Sequence, residues 1–383
     1  MDFTLSEELS AWRDSLRRFV DREIAPVARE YEQSGHYPTQ IVERMKELGL
    51  FGVTVPEQYG GLDTGAVGLA VMFEEISRGW MSVAGTLGSH TLACFMIAKH
   101  GTDEQKARLL PDLATGARRT ALALTEPGAG SDLQGITTRA VRDGDSYVIN
   151  GTKMWITNAR YADPLPVLAR TGEQRRGSKE LSILLVDAGT PGLSVSRDLG
   201  KLGYRGIDTC EVVLDNVRVP AANLLSGEEG NGLGQVLSAL EIGRINVAAR
   251  SLGIAQAAFD KAIAYAQERE AFERPIAQFQ AIQLKLARMA TNIQAARLLT
   301  WWGAAAIDQG ARSDVEAGMA KLFASEVAIE AALESMRIHG AAGYSTEYEV
   351  ERLYRDAPLM VIGEGTNDIP SMVIARGLLK RSR

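Results

Sequence analysis

TTRAVRDGDSYVINGTKMWIT, residues 137–157, is where the pattern of the chain changes. β-prone residues gather here in three short runs, Thr137–Val141, Ser146–Ile149 and Met154–Thr157. Asp143-Gly144 and Asn150-Gly151 separate the runs, and both dipeptides favour the tight two-residue turns of hairpins. Leu181–Val186 and Val212–Leu214 read as further strands, with Pro191-Gly192 a turn between them. The stretch predicts a small antiparallel sheet or barrel, residues 121–225, inserted between helical regions.

Working outward, residues 1–120 carry a helical period. Ser6-Glu7-Glu8-Leu9 opens a run with Leu9, Trp12, Leu16, Phe19 and Val20 on one face. Pro38-Thr39 precedes a short helix ending at Leu48-Gly49, and Thr102-Asp103-Glu104-Gln105 starts another, in which Pro111 marks a kink or restart. Residues 226–383 return to helix. Gly227, Gly230, Gly232 and Gly234 read as a flexible entry. Leu252, Ala255, Phe259, Ile263 and Ala266 line one helix face; Ile282, Leu286, Met289, Ile293, Ala296 and Leu299 line the next. A third helix follows Asp314 and ends near His339-Gly340. Long amphipathic helices on short loops pack as a bundle. The fold class expected is therefore mostly α with a β insert, in three domains: 1–120, 121–225 and 226–383.

Composition bounds the function. The chain has 383 residues, 23% charged, with a net charge of −6. That length suits about two or three domains and a core needing no disulfide staple. An acidic chain repels phosphate backbones, so nucleic acid is not the expected partner. The two cysteines, Cys94 and Cys210, lack CxxC spacing, and the four histidines lack paired metal spacing. No metal is expected, and a reducing, cytoplasmic setting is. Asp2, Glu7 and Glu8 precede any apolar run, unlike a secretory signal. Gly79–Ala98 is uncharged but interrupted by Gly85, Gly88, Ser89 and His90, so a buried helix is expected rather than a membrane span.

Five segments can carry chemistry, and each has two readings. TEPGAGSD, residues 125–132, is either a turn between domains or a loop whose Gly128 and Gly130 admit a ligand. It is not a dinucleotide fingerprint, since Leu133 stands where a third glycine belongs and strands follow. In MWIT, residues 154–157, Trp155 is either core or a platform for a flat ring beside the Thr157 hydroxyl. Arg269 to Ile276 with Phe279-Gln280 is a polar loop, or holds a phosphate on Arg269. Glu364, after an apolar run and between Gly363 and Gly365, is a solvated turn residue or a desolvated base with raised pKa. The loop Arg170–Glu180, with Arg170, Arg175, Arg176 and Lys179, is a solvated charge cluster or meets an anionic ligand tail.

Taken in order, these segments resemble the acyl-CoA dehydrogenase family of flavoproteins. The likeness runs over TEPGAGSD, MWIT, ERxxF at 268–272, PIxxFQ at 275–280, and EYEVERLYRDA at 347–357 leading to EGT at 364–366. The resemblance implies a helical N-terminal domain, a central antiparallel barrel-like β domain and a C-terminal four-helix bundle. It also implies FAD, a homotetramer built as a dimer of dimers, and an electron-transferring flavoprotein as acceptor. On the flavin side it points to Leu122, Leu124, Thr125, Gly130, Ser131, Trp155 and Thr157. Arg269, Phe272, Phe279 and Gln280 are implied for the adenosine and phosphates, often across a subunit boundary, with Arg337, Gly340, Thr366 and Asn367 as further contacts. Ser131, Glu241, Arg244, Gly363, Glu364 and Gly365 are implied for the substrate.

The implied reaction is α,β-dehydrogenation of an acyl-CoA to a trans-2-enoyl-CoA, with Glu364 as the α-proton base. A subset of the family carries its base on an earlier helix, at the position of Gly243, and glycine cannot serve. Gly363 stands where many members have Tyr, Glu273 where a glycine is usual, and Arg337 and Ala341 where Gln and Gly are frequent. The alternatives are a flavin oxidase or monooxygenase on the same fold, or a dehydrogenase of acyl groups tethered to a carrier protein.

Overall fold

The computed structural model describes residues 4–174, 176–310 and 313–381. Six helices come first: α1 (Glu7–Phe19), α2 (Ala28–Ser34), α3 (Thr39–Glu47), α4 (Gly65–Gly79), α5 (Met81–His100) and α6 (Asp103–Thr115). Their ends are set by the local sequence. The Ser6 hydroxyl accepts from Leu9 N–H at 3.2 Å to start α1. Thr102 and Gln105 bond reciprocally across the first turn of α6, and Gly116 closes that helix at φ +74°. Pro111 does not restart α6, which runs through it to Thr115. α5 is long and apolar enough to cross a membrane, but 83% of that window is buried inside the fold. Neighbours on all sides make it apolar all round.

The middle sheet has the order β4-β3-β1-β2-β6-β5, with β1 (Arg139–Asp143), β2 (Ser146–Thr157), β3 (Leu165–Arg170), β4 (Leu181–Val186), β5 (Leu193–Val195) and β6 (Thr209–Pro220). It is mixed rather than wholly antiparallel: β1 meets β3 in parallel at Arg139 and Arg170. The Asp143-Gly144 hairpin forms as read, with Asp143 paired to Ser146. Asn150-Gly151 does not make a turn. β2 runs straight through it because the long β6 pairs along its whole length, and the extra residue becomes a bulge between Ile149 and Gly151. Asn216 N–H donates to the Asn150 side chain at 2.8 Å across that bulge. Thr138 Cα would stand 2.7 Å from a β-carbon on residue 151, so only glycine fits. β3 escaped the sequence reading because Pro164 and Pro166 flank and interrupt it, a pattern that argues against a strand.

Five helices complete the chain: α7 (Gly232–Glu268), α8 (Gln280–Asp308), α9 (Asp314–His339), α10 (Val350–Ile362) and α11 (Asp368–Arg381). A two-residue ladder, β7 (Glu270–Ala271) and β8 (Arg274–Pro275), links α7 to α8. The glycines before α7 are not a flexible entry throughout. Gly232 and Gly234 are already helical, and a β-carbon on Gly232 would meet Ser182 Cα of β4 at 2.7 Å. These residues let helix and sheet touch.

The N- and C-terminal helices share one apolar core, from Leu16 and Phe73 to Ala328 and Met360. The sheet keeps its own around Tyr147, Ile149 and Val212. A third cluster, with Cys94, Leu110, Ile183 and Val236, joins α5 and α6 to β4 and the start of α7. α5 thus touches both halves, and the candidate site lies along it.

Candidate active site

α10 ends at Ile362, and the chain turns through Gly363, Glu364 and Gly365 before α11. Glu364 adopts φ +54° and Gly365 φ +94°. A non-glycine residue in the left-handed region is uncommon and strained, and such strain gathers at functional sites. The Glu364 side chain turns inward, and its Oε2 is buried without a hydrogen-bond partner. It lies where residue 243 of α7 would carry a side chain: a methyl on Gly243 would overlap Oε2 and stand 2.9 Å from Leu92 Cδ2 of α5. Burial pushes the carboxyl up to about 7, against the cations of Arg250, Lys321 and Arg244, which favour its ionised form. Of the two readings of Glu364, the solvated turn residue is excluded.

Sequence reasoning missed the group beneath this turn. Lys321 of α9 is fully buried, and its ammonium donates to the Gly365 carbonyl at 2.8 Å and to Asn367 Oδ1 at 2.7 Å. Burial lowers this lysine to about 8, while the Glu364 carboxylate opposes the fall. Asn367 also donates to Ser325 Oγ at 3.0 Å. Its side chain therefore ties the turn to α9, an internal role the sequence reading had not assigned. Only the lysine's place on an apolar helix face could have signalled it.

On the sheet side, β2 carries a second bulge between Lys153 and Ile156. Trp155 sits in it at φ +62° and is 57% exposed, so the core reading of this tryptophan is excluded. Met154 N–H donates to the Thr125 carbonyl at 2.9 Å, which lays the TEPGAGSD loop beside MWIT. That loop is anchored by another missed pair. Lys153, with no exposed surface, donates to Glu126 Oε1 at 2.9 Å and to the Leu124 carbonyl at 3.0 Å. Thr137 and Thr138 N–H groups complete the cradle of Glu126 at 2.6 and 2.9 Å. Burial works against the Glu126 charge, but Lys153 and these donors outweigh it and bring the carboxyl down to about 2. Gly130 and Ser131 beyond it are exposed, and Leu122, Leu124, Thr125 and Thr157 are half-buried. Asn158 donates to the Gly85 carbonyl at 3.1 Å and to Ser89 Oγ at 3.0 Å on α5, leaving its own buried Oδ1 unpartnered. Thr157 lies against α5, where Ser89 Oγ donates to its carbonyl at 3.5 Å, and Leu92 of the same helix borders the Gly243 position that Glu364 Oε2 fills. An exposed indole beside hydroxyls and an orphaned buried carbonyl suits a flat, hydrogen-bonding ring.

The remaining expected residues form a separate group. Gly243 and Arg269 are 26 residues apart on one helix, about 39 Å at 1.5 Å per residue. At that far end Ile276 N–H donates to the Arg269 carbonyl at 2.8 Å, and Phe272 meets Phe279 edge to face at 6.1 Å. Arg269 and Gln280 are exposed, as is Phe272 at 90%. Tyr265 stacks on His339 at 4.2 Å, which brings the end of α9 with Arg337 and Gly340 to the same place. Arg337 is paired with Glu334 there. One chain therefore does not bring this group to Glu364.

Arg244 is buried with Asp314 3.5 Å away. Burial, and then the Asp314 carboxyl, push the half-buried Glu241 up to about 7. Thr366 is half-buried beside Glu364. In the 170–180 loop Arg170 is no anion site: the residue is 7% exposed and its guanidinium donates to the Gln134, Ile136 and Gln174 carbonyls. Arg176 pairs with Asp132, and Arg175 lies outside the described residues.

Comparison with known proteins covers nearly the whole chain. Family models described as the acyl-CoA dehydrogenase N-terminal, middle and C-terminal domains match residues 6–117, 121–217 and 230–379. A probable acyl-CoA dehydrogenase of Bacillus subtilis, YngJ, is 46% identical over 99% of this chain and 100% of its own length. A 3-(aryl)acrylate reductase of Clostridium sporogenes is 42% identical over 99% and 100%. The butyryl-CoA dehydrogenase of Megasphaera elsdenii superposes with a TM-score of 0.96 at 36% identity, over 99% and 100% of the two chains.

Proposed function

The chain belongs to the acyl-CoA dehydrogenase family, whose members are FAD-dependent oxidoreductases, and we propose that it converts an acyl-CoA to the trans-2-enoyl-CoA with Glu364 as base. The carrying observation is the buried, unpartnered Glu364 carboxylate held by a strained turn against Gly243.

The α C–H beside a thioester is a poor acid, so the site must supply both a strong base and a stabilised enolate. Desolvation makes Glu364 basic, and Arg250, Lys321 and Arg244 oppose that rise, so that the carboxyl ionises through about 7. With glycines on either side, the turn leaves room for the thioester, and the Glu364 N–H is the donor proposed for its oxygen. FAD, when bound, supplies the acceptor for the β hydride. Thr125, Trp155 and Thr157 orient its ring; Ser131 meets the pantetheine portion of the substrate. Glu241, Arg244, Gly363 and Gly365 line the substrate side.

Arg269, Phe272, Phe279, Gln280, Arg337 and Gly340 then serve the FAD of a neighbouring subunit, a reading supported by the roughly 39 Å along α7 between Gly243 and Arg269 at its end. A homotetramer accommodates this, and the exposed Phe272, Tyr344, Leu284 and Ile362 are apolar surface for such contacts. Within it we read the sheet, 121–225, as the barrel-like domain and the helices after it as the four-helix bundle. An electron-transferring flavoprotein is the proposed acceptor. Anaerobic titration of the yellow holoprotein with acyl-CoAs tests this reading. Flavin bleaching by an acyl-CoA, abolished in Glu364→Gln with flavin retained, is expected; undiminished bleaching in that variant refutes it.

A further inference from the structure

The seam leading inward from Glu364 between α5 and α7 ends on a buried cation. Leu92, Gly88 and Gly85 follow one another along α5, and Gly243, Asn246 and Arg250 run the opposite way along α7. At the first level Glu364 Oε2 lies between Gly243 and Leu92. One turn further, a β-carbon on Gly88 would stand 3.4 Å from Arg250 Nη1 and 3.7 Å from Asn246 Nδ2. At the third level Tyr204 fills the space that a side chain on Gly85 would need. Tyr204 is itself pinned: its N–H donates to the buried Asp356 Oδ1 at 2.7 Å, with φ at +58°.

Arg250 is only 5% exposed, yet it makes no ion pair among the described residues. It donates to the Tyr204 hydroxyl at 3.2 Å, and its Nε has no partner. Asn246, fully buried, leaves Oδ1 unpartnered. Glu364 is the opposite charge to Arg250, with no hydrogen bond between the two among the described residues, and an aliphatic tail laid on the guanidinium would leave its buried Nε donor unpaired. A carboxylate would satisfy it through a forked pair of hydrogen bonds. With the CoA toward the surface and the α carbon at Glu364, an acyl chain directed inward would pass Gly88, where only Arg250 and Asn246 come within 4 Å of a β-carbon position. One helical turn, about 5 Å, separates the two levels, which is the reach of a chain of about four to six carbons.

We propose that Arg250, assisted by the Tyr204 hydroxyl, binds a carboxylate at the far end of the acyl chain, so that the substrates are short dicarboxylic acyl-CoA thioesters. This rests on the assignment of Glu364 as base. The reaction balance is unchanged: the α proton goes to Glu364, the β hydride to the flavin, and the distal carboxylate keeps its charge.

The test compares succinyl-, glutaryl- and adipyl-CoA with butyryl-, valeryl- and hexanoyl-CoA. Binding is measured by calorimetry on Glu364→Gln holoprotein, and anaerobic flavin reduction on the wild type. The dicarboxylic esters are expected to bind about 100-fold more tightly than their partners, a preference that Arg250→Gln abolishes and Tyr204→Phe weakens. Equal affinity, or preference for the monocarboxylic esters, in the unmodified pocket overturns the inference whether or not the Arg250 variant folds. So does an Arg250→Gln enzyme whose pH profile moves equally for both classes, since Arg250 is then only a counter-ion to Glu364. Reduction by monocarboxylic esters alone refutes this inference but keeps Glu364 as base; reduction by neither class refutes both.

Discussion

The carboxylate of Glu364 occupies the space of the side chain that Gly243 lacks. Two residues 121 positions apart, on the turn after α10 and on α7, thus describe a single site. The relationship explains why residue 243 is glycine in a chain whose proposed base is residue 364.

Gly243→Ala is therefore expected to keep its flavin and lose turnover. The added methyl overlaps Oε2 and presses on Leu92, so the carboxylate must swing off its position. A displacement of about 1 Å costs roughly 100-fold in rate. Single-turnover flavin bleaching checks this, with unchanged visible absorbance as the control for cofactor binding.

The pH dependence follows from the raised carboxyl. Flavin reduction at limiting substrate should rise with pH through about 7 as Glu364 ionises. Stability runs the other way. A carboxyl whose folded value lies above its ordinary 4.5 contributes stability that is fully present below that value. This stability is lost as pH rises through about 7. Glu364→Gln removes that loss, so its melting temperature should gain on the wild type between pH 5 and 8. An advantage that shrinks over this range contradicts the assignment.

Lys321 positions the turn from below. Lys321→Met removes the donors to the Gly365 carbonyl and Asn367 and one cation that favours the ionised Glu364. The apparent pKa of flavin reduction should move upward, by up to about one unit, along with a fall in rate. A slower enzyme with an unmoved pH profile would mean that the lysine is only structural.

Glu126 and Lys153 form a buried pair, so removing one partner strands the other. Glu126→Gln or Lys153→Met should each cost about 3–5 kcal/mol, read by urea denaturation of the holoprotein. The wild-type pair should persist to low pH: its carboxyl is held near 2, so its contribution, present above about 4.5, fades as pH falls through about 2.

The turn of the β7–β8 ladder offers a gain. Phe272 and Glu273 adopt φ +51° and +66°, values suited to glycine. Glu273→Gly should stabilise the protein by about 0.5–1 kcal/mol, measured as a higher melting temperature. Glycine would adopt this φ without strain.

Though not for α2, α4, α10 or α11, local sequence was enough for α1, α3, α5, α6 and α7 to α9, the Asp143-Gly144 hairpin, and the candidate segments around Trp155, Arg269 and Glu364. Each of these is written in spacing, capping residues or motif, which act within a few positions along the chain. Asn150-Gly151 shows the limit. Its dipeptide favours a turn, but long-range pairing with β6 outweighs the local preference and makes a bulge. The same holds for β3, which its prolines conceal and its neighbours enforce. Tertiary structure alone decided that Glu364 meets Gly243, that Lys321 lies beneath its turn, that Lys153 reaches Glu126, and that Arg250 faces Gly88. Burial, missing counter-ions and fitted glycines are properties of contacts between distant segments. No period or motif along the chain encodes them.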